Sequence, residues 1–245
     1  MVDAQGHVYA FGGSHAFAGS VANAVGIAPR AGGYWVADST GHVYTFGNAP
    51  FLGNVPAVGN GLTPGETITT IAATPTGNGY WLFSNDGRVW TFGDAQPWGF
   101  IANTTLNAPI VGSAPTPVGK GYYLVAADGG IFAFGDAKFH GSTGNMHLNK
   151  PVVGIAPTPN GQGYWLVASD GGVFAFNAPF RGSMGATHLN QPVAGLVAFG
   201  DGYLMVAADG GIFDLSNAPF FGSLPGAGVV PPAPIVGVAA LRAPG

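Results

Sequence analysis

The stretch Gly163-Tyr164-Trp165-Leu166-Val167-Ala168-Ser169-Asp170-Gly171-Gly172-Val173-Phe174-Ala175-Phe176 decides the fold, because it recurs along the chain. Its opening returns as Gly33-Tyr34-Trp35-Val36-Ala37, Gly79-Tyr80-Trp81-Leu82-Phe83, Gly121-Tyr122-Tyr123-Leu124-Val125 and Gly202-Tyr203-Leu204-Met205-Val206. The five tyrosines are 46, 42, 42 and 39 residues apart. A fixed period of about 40 residues with strand-like content marks a propeller, solenoid or array.

One period, residues 152–183, reads as short strands. Val152 to Ala156 is an apolar run stopped by Pro157, and Gly163 to Ala168 is a second. Asp170-Gly171 is a hairpin signal, because both residues tolerate the positive φ of a tight turn. Val173 to Phe176 forms a third run; Asn177-Ala178-Pro179 then turns the chain, and Phe180-Arg181-Gly182-Ser183 is a candidate outer fourth strand. The runs are apolar throughout rather than alternating, as expected of strands covered on both faces. The first strand of each unit carries Gly and Ala, as in Gly26-Ile27-Ala28 and Gly154-Ile155-Ala156, whereas the second and third carry Tyr, Trp and Phe. Sheets converging on an axis leave room only for small side chains on the inner strand, and close packing requires large ones farther out.

The turn-plus-aromatic element occurs six times, ending at Phe11, Phe46, Phe92, Phe134, Phe176 and Leu215. The small-residue strand also occurs six times, near residues 25, 68, 110, 152, 193 and 235. The Gly-Tyr-aromatic opening occurs five times, and the missing copy falls where the chain ends meet. The expectation is one domain over residues 1–245: an all-β, six-bladed β-propeller of about 41 residues per blade, closed by strands from both termini. Such closure leaves no long open sheet edge.

Composition narrows the function classes. Charged residues are 7% of the chain, its net charge is −4, and its seven Lys and Arg are scattered. Nucleic acid is therefore not an expected partner, since a phosphate backbone calls for a basic patch. No apolar run approaches the ~20 residues of a transmembrane helix, so no transmembrane segment is expected. Met1 leads directly into repeat sequence, so no signal peptide is expected. Gly (43) and Pro (20) are abundant, but 12% aromatic content argues against disorder. With no Cys, disulfide and thiolate chemistry are excluded.

The repeat 163–176, followed by Phe-x-Gly-Ser, resembles tandem repeats of secreted and cell-wall-associated actinobacterial proteins. That resemblance covers nearly the whole chain and implies a β-propeller in an extracellular or cell-surface protein. More loosely, Asp-Gly-x-x-Phe-x-Phe followed by Phe-x-Gly is similar to the blade of tachylectin-type sugar-binding propellers, over about fifteen residues per repeat.

Eleven carboxylates limit catalysis. Asp86, Asp128, Asp170 and Asp209 sit in the repeated hairpin turn; Asp94 and Asp136 sit in a second turn, where Asn48, Asn177 and Asn217 replace them. Exchange of Asp with Asn is the mark of backbone capping. Asp3, Asp38, Glu66, Asp201 and Asp214 remain, and no local spacing signals the paired carboxylates of a glycosidase. The six histidines lack metal-ligand spacing. No catalytic residue, metal or cofactor is expected. The residue inside Phe-x-Gly changes in every copy: Ala18, Leu52, Trp98 (in Pro97-Trp98-Gly99), His140, Arg181 and Phe221. On a fourth strand the Phe would point into the stack and this residue away from it. Trp98, His140 and Arg181 are thus the candidate ligand-binding residues; a solvent-facing position without a role is the competing reading. His147-Leu148-Asn149 and His188-Leu189-Asn190 form a second candidate surface. The expected function is non-catalytic, lectin-like binding of a glycan or cell-wall polysaccharide through shallow repeated sites. The alternative is a structural or protein-interaction propeller.

Overall fold

A computed structural model describes residues 1–101 and 104–240. The strands are β1 (Val2–Asp3), then unit 1, β2 (Ala24–Arg30), β3 (Gly33–Asp38) and β4 (Val43–Gly47), and unit 2, β5 (Ile68–Ala73), β6 (Gly79–Ser84) and β7 (Val89–Gly93). Unit 3 is β8 (Ile110–Pro115), β9 (Gly121–Ala126) and β10 (Ile131–Gly135); unit 4 is β11 (Val152–Pro157), β12 (Tyr164–Ala168) and β13 (Val173–Phe176). Unit 5 is β14 (Val193–Phe199), β15 (Gly202–Ala207) and β16 (Ile212–Leu215), and β17 (Ile235–Gly237) follows. One 3-10 turn, Pro225–Ala227, interrupts an otherwise all-β chain among the described residues.

Each unit is a three-stranded antiparallel sheet with its Gly-Tyr-aromatic strand in the centre. The sixth sheet pairs β1 with β17 antiparallel, Val2 opposite Gly237, so the two ends of the chain share a sheet. Val2 also bridges Val8. The central strands are buried along their whole length in units 1 to 4, which accounts for their lack of apolar–polar alternation. Each first strand carries a register shift in its pairing with the second, as between Val152 and Gly154 and between Val193 and Gly195. A repeated bulge of this kind adds twist at one place in every sheet.

First strands of successive units lie against one another, and β17 touches both β14 and β2. Glycines meet at several of these junctions. A Cβ on Gly112 would lie 3.4 Å from Gly154 Cα, and one on Gly237 would lie 3.3 Å from Gly26 Cα. The small first-strand residues are therefore a packing requirement, as the size gradient in the sequence predicts.

The proposed fourth strand does not form. Residues 51–53, 139–142 and 180–183 have no ladder partner. Side chains hold them instead, and this explains the Gly-Tyr-Trp phrase. The Trp fixes its own unit's segment: Trp35, Trp81 and Trp165 donate from Nε1 to Pro50, Gln96 and Pro179 carbonyls, each at 2.8 Å. Tyr123 does the same work, donating to the Lys138 carbonyl at 3.1 Å. The Tyr reaches back to the preceding unit: Tyr80, Tyr164 and Tyr203 hydroxyls donate to Gly53, Gly141 and Gly182 carbonyls at 2.7, 2.6 and 2.6 Å. Tyr122 donates likewise to Gly99. The rings then meet across units at a tilt, Trp35 against Tyr80 at 5.1 Å and 56° and Trp165 against Tyr203 at 5.1 Å and 57°.

Candidate functional site

The Phe-x-Gly segments are the repeated surface that the sequence singles out. Glycine ends each because the backbone there lies on an aromatic ring of the next unit at positive φ. Gly53 has φ +136°, and a Cβ on it would come within 2.7 Å of Phe92. Gly99 and Gly141 stand in the same way on Phe134 and Phe176. No other residue type takes that conformation and that approach together.

In units 1, 3 and 4 the structure reverses the expected orientation of the repeated Phe and the varying residue after it. Phe51, Phe139, Phe180 and Phe220 are 59%, 60%, 59% and 56% exposed, so the Phe of these four units faces solvent, whereas the equivalent Phe17 is half-buried against the core. Leu52, Trp98, His140 and Arg181 turn toward the following unit, whereas Ala18 and Phe221 remain exposed. The reason is the missing ladder: without strand pairing the side chains need not alternate about a sheet plane, and the Tyr and Trp hydrogen bonds set the backbone instead.

Trp98, His140 and Arg181 lie at equivalent places on three successive units and do not converge. Trp98 is half-buried against the hydrophobic cluster between units 2 and 3, and its Nε1 donates to the Gly119 carbonyl at 3.2 Å. His140 is half-buried; its backbone N–H donates to Tyr164 Oη at 3.1 Å, its ring lies 6.0 Å from the Tyr164 ring, and its Nε2 is buried without a hydrogen-bond partner. Arg181 remains partly exposed and pairs with Asp201, Nη2 to Oδ2 at 2.8 Å, while its Nε donates to the Asp201 carbonyl at 3.2 Å. Each of the three thus contacts the next unit. In the second candidate surface, His147 and His188 are exposed, and the intervening Leu148 and Leu189 anchor their loops to the core.

The carboxylates cap backbone. Asp128, Asp170 and Asp209 each accept a hydrogen bond from the glycine N–H two residues on, at 2.9 Å. Asp94 and Asp136 accept from the hydroxyls of Thr74 and Thr116 at 2.8 Å, tying the third strand's exit to the first hairpin. The equivalent pair Asp3 and Asp38 each receive backbone N–H groups across a hairpin, and the fully buried Asp3 also binds His7 Nδ1 at 3.1 Å and the Tyr9 hydroxyl at 2.9 Å. Glu66 takes the Arg88 guanidinium at 2.7 Å, and Arg88 in turn lies over the Trp90 ring at 4.6 Å. Among the described residues no group of three or more His, Asp or Glu converges as a metal site, and no helix is long and apolar enough to cross a membrane.

Burial raises the phenols that clasp successive units. Tyr80 and Tyr122 are pushed up to about 12, and Tyr164 and Tyr203 are also raised by burial. These hydroxyls are therefore protonated donors at neutral pH, as their contacts to carbonyls require. No protein-family model and no curated protein matches this chain.

The exposed Phe of the segment escaped sequence reading because period-two alternation was assumed for a strand that does not exist. Pro50, Pro179 and Pro219, directly before three of these phenylalanines, were the available signal. A proline removes the N–H that a ladder would use.

Proposed function

We propose that this chain is a six-bladed β-propeller, closed by strands from both ends, that acts as a non-catalytic binding module for a cell-surface or cell-wall glycan outside the cell. Closure is supported by contacts of one kind that continue through the shared sheet. Gly222 of unit 5 stands on Phe11, Gly19 stands on Phe46 of unit 1, and the Tyr34 hydroxyl clasps both backbone groups of Phe17, at 2.9 and 3.1 Å.

The observation that carries the binding reading is the fourfold exposure of Phe51, Phe139, Phe180 and Phe220 at one place in the repeat. Burying such a side chain is worth about 1.5–3 kcal/mol, and four units forgo it at the same position. An aromatic face packs against the C–H face of a sugar ring, and one ring on each of four blades gives weak sites whose strength comes from simultaneous engagement. His140 and Arg181 sit beside Phe139 and Phe180, and Trp98 stands at the same place in unit 2, where Pro97 replaces the Phe; these residues would contribute through their exposed edges, giving the sites unequal preferences. Exposed aromatics also anchor protein contacts, which keeps a protein-interaction propeller as the second reading.

The test is sedimentation with insoluble cell-wall polysaccharide together with a glycan array. Binding is expected for the parent protein, and its loss is expected when the four phenylalanines are changed to Ser. Absence of any glycan hit, with capture of a defined protein through the same four residues, would replace the first reading by the second.

A further inference from the structure

The hairpin between the second and third strands carries polar side chains in one half of the molecule and lacks them in the other. In the sheet shared by the chain ends it reads Asp3, His7 and Tyr9, and in unit 1 Asp38, His42 and Tyr44. Both sets close on themselves: the Tyr9 hydroxyl donates to Asp3 at 2.9 Å and the Tyr44 hydroxyl to Asp38 at 3.2 Å. Unit 2 has Ser84, Arg88 and Trp90 at the same places, since Trp90 pairs with Leu82 as Tyr44 pairs with Val36. The Arg88 guanidinium lies over the Trp90 ring at 4.6 Å and pairs with Glu66 at 2.7 Å. It also donates to the Gly61 carbonyl at 3.0 Å and to Asn60 Oδ1 at 2.8 Å. In unit 3 the three residues are Ala126, Gly130 and Phe132, with Phe132 paired to Leu124. Glu66 is replaced there by Ala108: the Ala127 N–H donates to the Pro109 carbonyl as the Asn85 N–H does to that of Thr67.

These replacements leave a cavity of about 240 Å³, lined by Asn107, Ala108, Ala126, Asp128, Gly130 and Phe132 among others. Its ring is open where the unit 2 ring is covered: Trp90, under Arg88, is 5% exposed, whereas Phe132 is only half-buried. The lining carries one charge, the Asp128 carboxylate. Asp128 Oδ1 accepts from the Gly130 N–H at 2.9 Å, which fixes the carboxylate in the wall and leaves Oδ2 as an acceptor. The cavity stands at the far end of the sheet from the exposed Phe139. Gly135, where the chain leaves toward Phe139, pairs with Gly121, while the hairpin end pairs Ile131 with Val125.

We propose that this cavity receives a guanidinium group, the side chain of an arginine presented by a partner polypeptide. Unit 2 fills the same place with its own guanidinium, set on a ring face with oxygen acceptors at its edge. Unit 3 keeps the ring in Phe132, supplies the carboxylate from Asp128 in place of Glu66, and omits the side chain that would occupy the space. A guanidinium is planar, is drawn to an aromatic face and carries its N–H donors in its own plane, so ring and carboxylate can be engaged together. An anion would meet the Asp128 charge with nothing in the lining to offset it. The volume is below the about 300–1,000 Å³ of pockets that take whole small molecules, and it suits one side chain. The proposal does not rest on the glycan reading, because the cavity and the exposed phenylalanines share no residue and lie at opposite ends of the sheet.

The experiment titrates acetyl-arginine methylamide into the intact, isotope-labelled chain and follows the backbone amide resonances of Asp128 and Gly130. Saturable shifts at millimolar concentration are expected, and acetyl-lysine methylamide should bind about tenfold more weakly, since an ammonium lacks the planar fork. Gly130→Arg combined with Ala108→Glu copies unit 2 and should abolish binding by filling the cavity from within. Asp128→Asn keeps the oxygen that accepts from Gly130 and removes the charge. It should weaken arginine binding about tenfold, as loss of a charge-assisted contact does, and it stands as the test should the double change fail to fold. Silence with the arginine probe, equal affinity for the lysine probe, or undiminished binding by Asp128→Asn would each overturn the site.

Discussion

Trp165 and Phe180 belong to one unit and are both large aromatics, yet Trp165 is 1% exposed and Phe180 is 59% exposed. Trp165 stands on a central strand hydrogen-bonded on both sides, with its ring on Tyr203 of the next unit. Phe180 stands on a segment without a ladder, whose backbone is gripped by Trp165 from one side and by Tyr203 from the other. The central strand spends its side chains on holding the structure. The segment has its backbone held by others and keeps its own Phe free. A repeat built this way separates a stiff frame from a displayed position.

Four outcomes would break or sharpen that contrast. The largest is alkaline unfolding. The unfolded phenol titrates near 10, whereas Tyr80 and Tyr122 are raised to about 12 by burial. A folded value raised above the unfolded one gives stability that is complete below pH 10 and is lost as pH rises toward 12, at roughly 2–3 kcal/mol for each such tyrosine. Tyrosinate absorbance and far-UV circular dichroism should therefore change together. Phenolate appearing in a still-folded chain near pH 10 would show the clasps to be open to solvent.

Next in size is Trp165→Ala, expected to lower stability by about 3–5 kcal/mol, as for large aromatics removed from a core. Denaturant titration checks it, and an unchanged midpoint would place this ring outside the frame. Tyr164→Phe is smaller. It keeps the ring contacts and removes the hydroxyl, leaving the His140 N–H and Gly141 carbonyl without their partner. The cost should be about 1–3 kcal/mol, read from the same titration. The smallest effect on stability is expected for Phe180→Ser, within about 0.5 kcal/mol. If thermal unfolding shifted as much as for Tyr164→Phe, the exposed ring would be part of the frame, and the display argument would fail.

Much of the frame was legible in the chain. The tyrosine spacing, the Asp-Gly turns and the graded strand contents correspond to antiparallel sheets with glycine junctions, and the half-units at each end correspond to the paired β1 and β17. The site was less legible. Variation at Trp98, His140 and Arg181 marked the right segment, but these residues bridge to the following unit, and the Phe beside His140 and Arg181 faces water. Variation at one place in a repeat shows relaxed packing identity without showing direction. Direction depends on whether the segment is paired, and here pairing is replaced by side-chain hydrogen bonds from residues about 20 positions away.

What the sequence determined by itself was therefore local and periodic. Strand length, turn position and residue size along the strand follow from backbone propensity and from the demand for dense packing, and each can be read within one repeat. What only the tertiary structure decided was relational. The Tyr clasp and the outward Phe depend on the distance between neighbouring units.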